Sequence, residues 1–317
     1  MTNIYIDCTV IGDVFSDLLV HSEGLRNPLS YGGTSYSDFV KMDFGGSGNI
    51  AVGLSLLGGR AAFVGKAGND LFGKLYIKNL KEKEVISKVF IEKNSPTGWV
   101  IAFIDDRKER SFLVCRGAND TLSLDDVRKA TYLIKKSKYV YISGYSLVND
   151  SQRNSILLGI ELARKYKKKI VFDPGAYNIV RLNPGLFNSI ISLCDIFLPN
   201  LDEAMAVTNT ENLEDIIDRL RNKVPLTALK CGEDGSILIT EKECLKITGF
   251  KVRCKDSTGA GDAFASAFLY GLSKDLLLEA TGRLASWFSA QVTTDFGSRN
   301  YPTKLRINSY LNLLNVK

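Results

Sequence analysis

Apolar residues follow two different rhythms along this chain. Residues 4–11 form a β-rich run that stops at Gly12 and Asp13, the pattern of a buried first strand giving way to a loop. Residues 49–57 repeat their apolar positions at helical spacing and end at Gly58 and Gly59, which predicts a helix with a glycine cap. Between these two, residues 18–44 break into short apolar pieces interrupted by Gly24, Pro28, Gly32 and Gly33, with Tyr31, Tyr36, Phe39 and Phe44 among polar neighbours. This stretch, together with residues 97–116, is expected to build a small β lid. Within the latter, 99–104 and 111–115 are apolar and flank a charged turn at 105–110.

The second half alternates regularly. Residues 139–142, 170–172, 195–198 and 226–229 read as short buried strands, separated by helical stretches such as 152–166 and 214–221. Repeated β-α-β units predict an α/β fold with a doubly wound, mostly parallel sheet and helices on both faces. Ligands of such sheets bind beyond the carboxyl ends of the strands. Asp173, Asn200, Lys230 and Gly232 each follow one of these strands closely, so they can converge on one edge. Neither a repeat nor a linker interrupts the chain, and residues 1–317 are expected to form one domain with the lid inserted.

Composition narrows the chemistry. A 45% apolar content supports a substantial core, and the net charge of +6 is modest. The lysine clusters, Lys135 with Lys136 and Lys167 to Lys169, stand at the ends of expected helices, where cations are favoured. Nucleic acid is therefore not an expected partner. No apolar stretch reaches about 18 residues and no leader pattern opens the chain, so a cytoplasmic protein without a membrane partner is expected. Six cysteines show neither C-x-x-C nor zinc-like spacing, which suits reduced thiols. His21, the single histidine, removes Ser-His-Asp hydrolysis, Cys-His proteolysis and multi-histidine metal catalysis at once. Acid–base work must fall to carboxylates or lysines.

One segment carries the chemistry. Residues 256–262 read Asp-Ser-Thr-Gly-Ala-Gly-Asp and lead into a small-residue helix pattern. Gly259, Ala260 and Gly261 can turn successive N–H groups toward one point at a helix start, where the macrodipole also favours an anion. Asp262 then sits at the edge of an anion nest, suited to take a proton from an alcohol during phosphoryl transfer. A plain glycine turn with a capping aspartate would use the same residues. Gly46, Gly48 and Ala51, with Asp70 beyond, formally match a dinucleotide fingerprint, but they do not close the first strand as that motif requires. A P-loop motif does not occur.

The Asp256–Asp262 motif resembles the C-terminal signature of the ribokinase-like (PfkB) carbohydrate and nucleoside kinases. Other landmarks follow in that family's order: Gly45-Gly46-Ser47-Gly48-Asn49, Val64-Gly65-Lys66-Ala67-Gly68-Asn69-Asp70, Arg116-Gly117-Ala118-Asn119, Asp173-Pro174-Gly175, Pro199-Asn200-Leu201-Asp202-Glu203 and Lys230-Cys231-Gly232-Glu233-Asp234-Gly235. They cover nearly the whole chain. Ser47 departs from the usual Gly, Ala or Pro, and the signature often has one more residue before the Asn.

The resemblance implies an ATP-dependent kinase acting on a primary alcohol of a sugar or sugar derivative. Asp262 would be the general base, with the amides of Gly259, Ala260 and Gly261 as the anion hole. Asp17 would bind acceptor hydroxyls, with Asp13 as a competitor for that role; Gly45, Gly46 and Asn49 would also face the acceptor. Arg116 is either a clamp for an anionic group or half of a structural ion pair. Asn200 and Glu203 would order Mg²⁺ through water, or else cap a helix. Lys230, Gly232, Gly235 and Thr258 would lie along the nucleotide, and residues 285–293 with the loop at 297–302 would shape the adenine pocket. Asp256 and Thr258 match positions that hold K⁺ in some relatives. A nucleoside kinase of the same architecture is the first alternative, with Phe15, Tyr31, Tyr36 and Phe39 stacking on a base, filling the lid or pairing two lids in a homodimer. A catalytically inactive sugar-binding regulator is the more distant one.

Overall fold

The computed structural model describes residues 5–21, 34, 36, 37, 39–104 and 110–314. Nine strands form the main sheet: β1 (Ile6–Ile11), β4 (Ala61–Gly68), β5 (Ile86–Glu92), β8 (Ser137–Ser143), β9 (Lys169–Asp173), β10 (Ile196–Phe197), β11 (Leu226–Lys230), β12 (Gly235–Thr240) and β13 (Cys244–Thr248). A second sheet holds β2 (Phe15–His21), β3 (Phe39–Gly45), β6 (Gly98–Ile104) and β7 (Arg110–Cys115).

The main sheet runs β13-β12-β11-β10-β9-β8-β1-β4-β5. Its strands are parallel from β5 through β11, and an antiparallel hairpin, β12 and β13, closes one edge. All six residues of β1 are buried, because a central strand covered by helices on both faces has no wet side and so no alternation. One face packs the helices Gly48–Leu56, Ala260–Ser273 and Leu278–Val292 against Phe63, Leu198 and Leu238. The other packs Asp150–Lys165, Pro184–Ile191 and Leu213–Arg221 against Ile142, Phe172 and Leu229. This is the doubly wound, mostly parallel α/β arrangement.

Small residues line one helix contact. The Ala260–Ser273 helix carries Gly261, Ala263, Ala265, Ser266 and Ala267, and Ser266 Oγ donates 3.1 Å to Ile50 O across the interface. A Cβ at Gly53 would lie 2.4 Å from that hydroxyl oxygen, so the glycine lets the Gly48–Leu56 helix approach.

The second sheet runs β3-β2-β6-β7. It begins at Phe15, with only three residues between it and the end of β1, earlier than the spacing predicts. Gly24, Pro28, Tyr31, Gly32, Gly33 and the turn at 105–109 lie outside the described residues. Cross-strand register aligns Met42, Leu18, Ile101 and Leu113 in one row, while Leu19, Ala102 and Ile104 pack beside Phe296. Leu113 and Val40 are 61% and 59% exposed, so one face of this sheet is apolar and open. Strands β4, β5, β12 and β13 escaped the sequence reading: Gly65, Gly68 and small alanines mask the strand pattern in β4, and β12 and β13 follow a glycine turn read only as a motif.

Candidate active site

Gly259 begins the decisive turn. Its φ of 78° is left-handed, and a Cβ there would come within 2.3 Å of Ser298 O, so both backbone and packing require glycine. The Ala260–Ser273 helix starts at the next residue. Ala260 N donates to Ser257 O at 3.2 Å, which removes this amide from the nest expected at residues 259–261. Among the described residues, the amides of Gly259, Gly261 and Asp262 have no acceptor. The unpaired N–H groups therefore gather at the first helical turn, where they and the dipole act together.

Lys230 stands beside it. A Cβ at Gly261 would meet only Lys230 Nζ, at 3.6 Å. Lys230 closes β11 and donates 2.8 Å to Asp173 Oδ2 at the end of the parallel strand β9. Burial works against its charge, yet the carboxylates of Asp173, Glu203 and Asp262 outweigh that effect and hold the ammonium above its ordinary range.

Asp262 lies in the first turn of the helix and is approached by Asn49, whose Nδ2 donates 2.9 Å to Asp262 Oδ2. Burial pushes the Asp262 carboxyl up to about 6; the Asn49 bond lowers it, Asp173 raises it, and Lys230 and Arg299 lower it. At neutral pH it is still ionised, and so able to accept a proton.

Toward the second sheet stands another pair of carboxylates. Asp17 on β2 pairs directly with Asp43 on β3, so the two carboxylates share one face. Burial and the Asp43 charge push Asp17 up to about 7, against the lowering effect of Arg299, while Asp262 raises it further. A Cβ at Gly45 would lie 2.3 Å from both Asp17 carboxylate oxygens, and one at Gly46, where φ is 74°, would lie 2.5 Å from Asp13 O. Both glycines thus leave room for Asp17 and for the Asp13 backbone. Ser47, the departure from the usual signature, accepts from Asp13 N at 3.2 Å; Gly12 has no side chain to obstruct it.

Several expected residues have other work. Asp13 is buried and bound by Arg116 Nη2 at 2.9 Å, Gln152 Nε2 at 2.8 Å and Ser146 Oγ at 2.8 Å. Arg116 also binds Asp120 through Nε at 2.6 Å and meets Gln152 Oε1. This is a structural ion-pair network, so Asp13 does not compete with Asp17 and Arg116 is not a free clamp. Gly235 has φ 100° and sits where a Cβ would strike Ile247 O at 2.1 Å, which makes it a strand-packing glycine. Gly232, with φ 60°, faces open space. Asp256 Oδ1 accepts from Thr258 N and Oγ1 at 2.9 and 2.7 Å, and its Oδ2 accepts from Gly297 N at 2.9 Å. The pair ties two loops together, and no potassium site is drawn from it.

Asn200 and Glu203 form a reciprocal helix cap. Glu203 N donates to Asn200 Oδ1 at 2.8 Å, and Asn200 N and Nδ2 donate to the two Glu203 oxygens at 2.8 and 3.0 Å. Burial pushes Glu203 up to about 7, opposed by Lys230 and reinforced by Asp173. Each carboxylate oxygen keeps a further lone pair. Among the described residues no three His, Cys, Asp or Glu side chains group around a metal, so a protein cage is absent; the hard oxygens of this pair fit Mg²⁺ that keeps most of its water.

The loop at 297–302 meets both the second sheet and the Gly48–Leu56 helix. Ser298 Oγ donates to Phe44 O at 3.1 Å and reaches Asp17 Oδ2 at 3.5 Å, while Arg299 Nε donates to Asn49 Oδ1 at 2.6 Å. Asp43, Ser298 and Arg299 were not singled out in the sequence because they belong to no spacing motif. All six cysteines are free thiols, and among the described residues no helix is long and apolar enough to cross a membrane.

Residues 6–304 match the family described as pfkB family carbohydrate kinase. Probable fructokinase-5 of Arabidopsis thaliana is 28% identical over 283 residues, covering 86% of this chain and 85% of that protein. The crystal structure of adenosine kinase from Sinorhizobium meliloti superposes with a TM-score of 0.88 at 23% identity, over 96% of this chain and 99% of that one. A ribokinase II candidate from E. coli, solved with ATP and Mg²⁺, gives a TM-score of 0.86 at 19% identity, over 98% of this chain and 100% of that one.

Proposed function

Because the chain belongs to the pfkB family of carbohydrate kinases, and with them to the phosphotransferases that act on an alcohol group, we propose that it transfers the γ-phosphoryl group of ATP to a hydroxymethyl group of a sugar or sugar derivative. The observation that carries this reading is the Asp262 carboxylate, set in the first turn of a helix and held by Asn49. Asp17 binds acceptor hydroxyls, with Asp43 beside it, and brings the reacting hydroxyl within reach of Asp262. Asp262 takes its proton as the oxygen attacks phosphorus. The free amides at Gly259, Gly261 and Asp262, with Lys230, receive the negative charge of the migrating group, an arrangement that acts mainly through positioning and charge. Mg²⁺, when bound with ATP, neutralises phosphate charge, and Asn200 and Glu203 would hold it through water. Burial of these groups supports a site that excludes water once filled, which protects ATP from hydrolysis.

A nucleoside acceptor is the second reading. It is favoured by Phe39 and Phe296, whose rings lie 5.6 Å apart beside the acceptor face and offer an aromatic surface for a base. A screen of ADP release with ribose, fructose, fructose phosphates, 2-keto-3-deoxygluconate, purine nucleosides and pyrimidine nucleosides decides between them. Turnover of free sugars supports the first reading, turnover of nucleosides alone replaces it with the second, and binding without turnover of any acceptor leaves a sugar-binding regulator. The open apolar row of Met42, Leu18, Ile101 and Leu113 supports a homodimer formed through the second sheet; sedimentation velocity would give one copy if it is wrong.

A further inference from the structure

Arg299 touches the transfer site from a loop with no recognisable motif. Its Nε donates 2.6 Å to Asn49 Oδ1, it also bonds Asn79 Oδ1, and its guanidinium lies 5.5 Å from the ring centres of both Phe44 and Tyr76. Asn49 passes the contact on, with Nδ2 donating 2.9 Å to Asp262 Oδ2. A carboxylate only accepts and a guanidinium only donates. One orientation of the Asn49 amide satisfies both, with the carbonyl toward Arg299 and the amino group toward Asp262. The flipped amide would set oxygen against carboxylate and amino group against guanidinium, so the neighbours dictate the orientation chemically.

We infer that Arg299 is a positioning residue for phosphoryl transfer, locking the Asn49 amide so that its amino group aims the Asp262 carboxylate at the acceptor. The inference rests on the reading of Asp262 as general base. Aromatic faces on Phe44 and Tyr76 hold the guanidinium in place, and Tyr76 is itself fixed by donating 3.0 Å to Gly45 O. Charge acts in the same direction as geometry. The other groups that face Asp262 are Asp173 and Lys230 from the sheet edge, Asp17 from the second sheet, and the hydroxyls of Tyr141, Tyr145 and Tyr301. Lys230 and, after it, Arg299 are the cations that favour the ionised carboxyl; Lys230 is paired with Asp173, whereas Arg299 is tied to Asp262 through the Asn49 amide.

The test compares Arg299→Gln, which loses the charge, with Arg299→Lys, which keeps it without the planar fork. The Asp262 carboxyl carbon is titrated by NMR in each protein, alongside turnover on the best acceptor and ATP affinity. In Arg299→Gln the midpoint should rise by roughly one pH unit, and it should stay near the original value in Arg299→Lys. Turnover should fall by roughly 10- to 100-fold in both, with ATP affinity unchanged. An unmoved midpoint in Arg299→Gln overturns the inference, as does full turnover in Arg299→Lys, or a loss of ATP affinity that accounts for the whole effect. Should Arg299→Gln fail to fold, Arg299→Lys decides alone: lost turnover with retained ATP affinity supports the role, and unchanged turnover rejects it. Failure of the kinase reading looks different, because the unsubstituted protein would then phosphorylate no acceptor while the carboxyl titration still reports on Arg299.

Discussion

Asn49 Nδ2 lies 2.9 Å from Asp262 Oδ2, joining two residues 213 positions apart in sequence. One sits in the Gly48–Leu56 helix and the other in the first turn of the Ala260–Ser273 helix, so the packing of these helices brings the Asn49 amide to the carboxylate proposed as the base. Asp262→Asn keeps the shape and removes the proton acceptor. Phosphotransfer should fall by roughly 10²- to 10⁴-fold, with melting temperature and ATP affinity retained; near-normal ADP release would remove Asp262 as the base.

The pH profile follows from the same group. Burial places the Asp262 carboxyl at about 6, and only the ionised form accepts a proton. Turnover should be level above pH 7 and fall tenfold per unit below about 6. A profile level down to pH 5 would exclude Asp262 as the titrating group.

Two neighbouring glycines should respond differently to the same methyl group. Gly259→Ala forces a side chain into φ 78° and to within 2.3 Å of Ser298 O, and should destabilise the protein by about 1–3 kcal/mol through strain and overpacking. Gly261→Ala has room, with only Lys230 Nζ nearby at 3.6 Å. It should fold normally yet transfer phosphate slowly, which urea denaturation and steady-state kinetics would separate.

Lys230 and Asp173 are both largely buried, at 14% and 8% side-chain exposure. Lys230→Met leaves the aspartate without its counter-charge and should cost about 3–5 kcal/mol. Adding Asp173→Asn should restore much of that stability without restoring activity. Equal stability of the single and double variants in urea would refute the pairing argument.

Asp17 links stability to pH in an unusual direction. Its folded value of about 7 lies above the unfolded value of about 3.9, so the folded state binds the proton more tightly. Its stabilising contribution is full below about pH 4 and is lost as pH rises through 7. Asp17→Asn should therefore gain on the original protein across that window, by about 2–4 °C in melting temperature for each kcal/mol. A constant gap between pH 4 and pH 8 would contradict the shift.

Much of this was legible in the sequence for local reasons. Gly259 and Asp262 advertise a turn and a helix start within seven residues, and the alternating strands of the second half announce a parallel sheet. Asp13, Arg116 and Gly235 looked equally functional, because spacing reveals which residues sit near a strand end but not what their side chains meet. Only the fold shows Arg116 bound to Asp13 and Asp120, and Gly235 pressed against Ile247. Arg299 was hidden for the opposite reason: its partners, Asn49 and Asn79, lie 250 and 220 positions away.

The short loop around Ser298 presses on Gly259 with its carbonyl, steadies Asp17 and Phe44 with its hydroxyl, and passes directly into Arg299. The Gly259 turn and the Asp17 side of the second sheet thus lean on one piece of backbone. If a ligand that firms this loop from one side tightens a ligand on the other, thermodynamic reciprocity requires the second to tighten the first by the same factor.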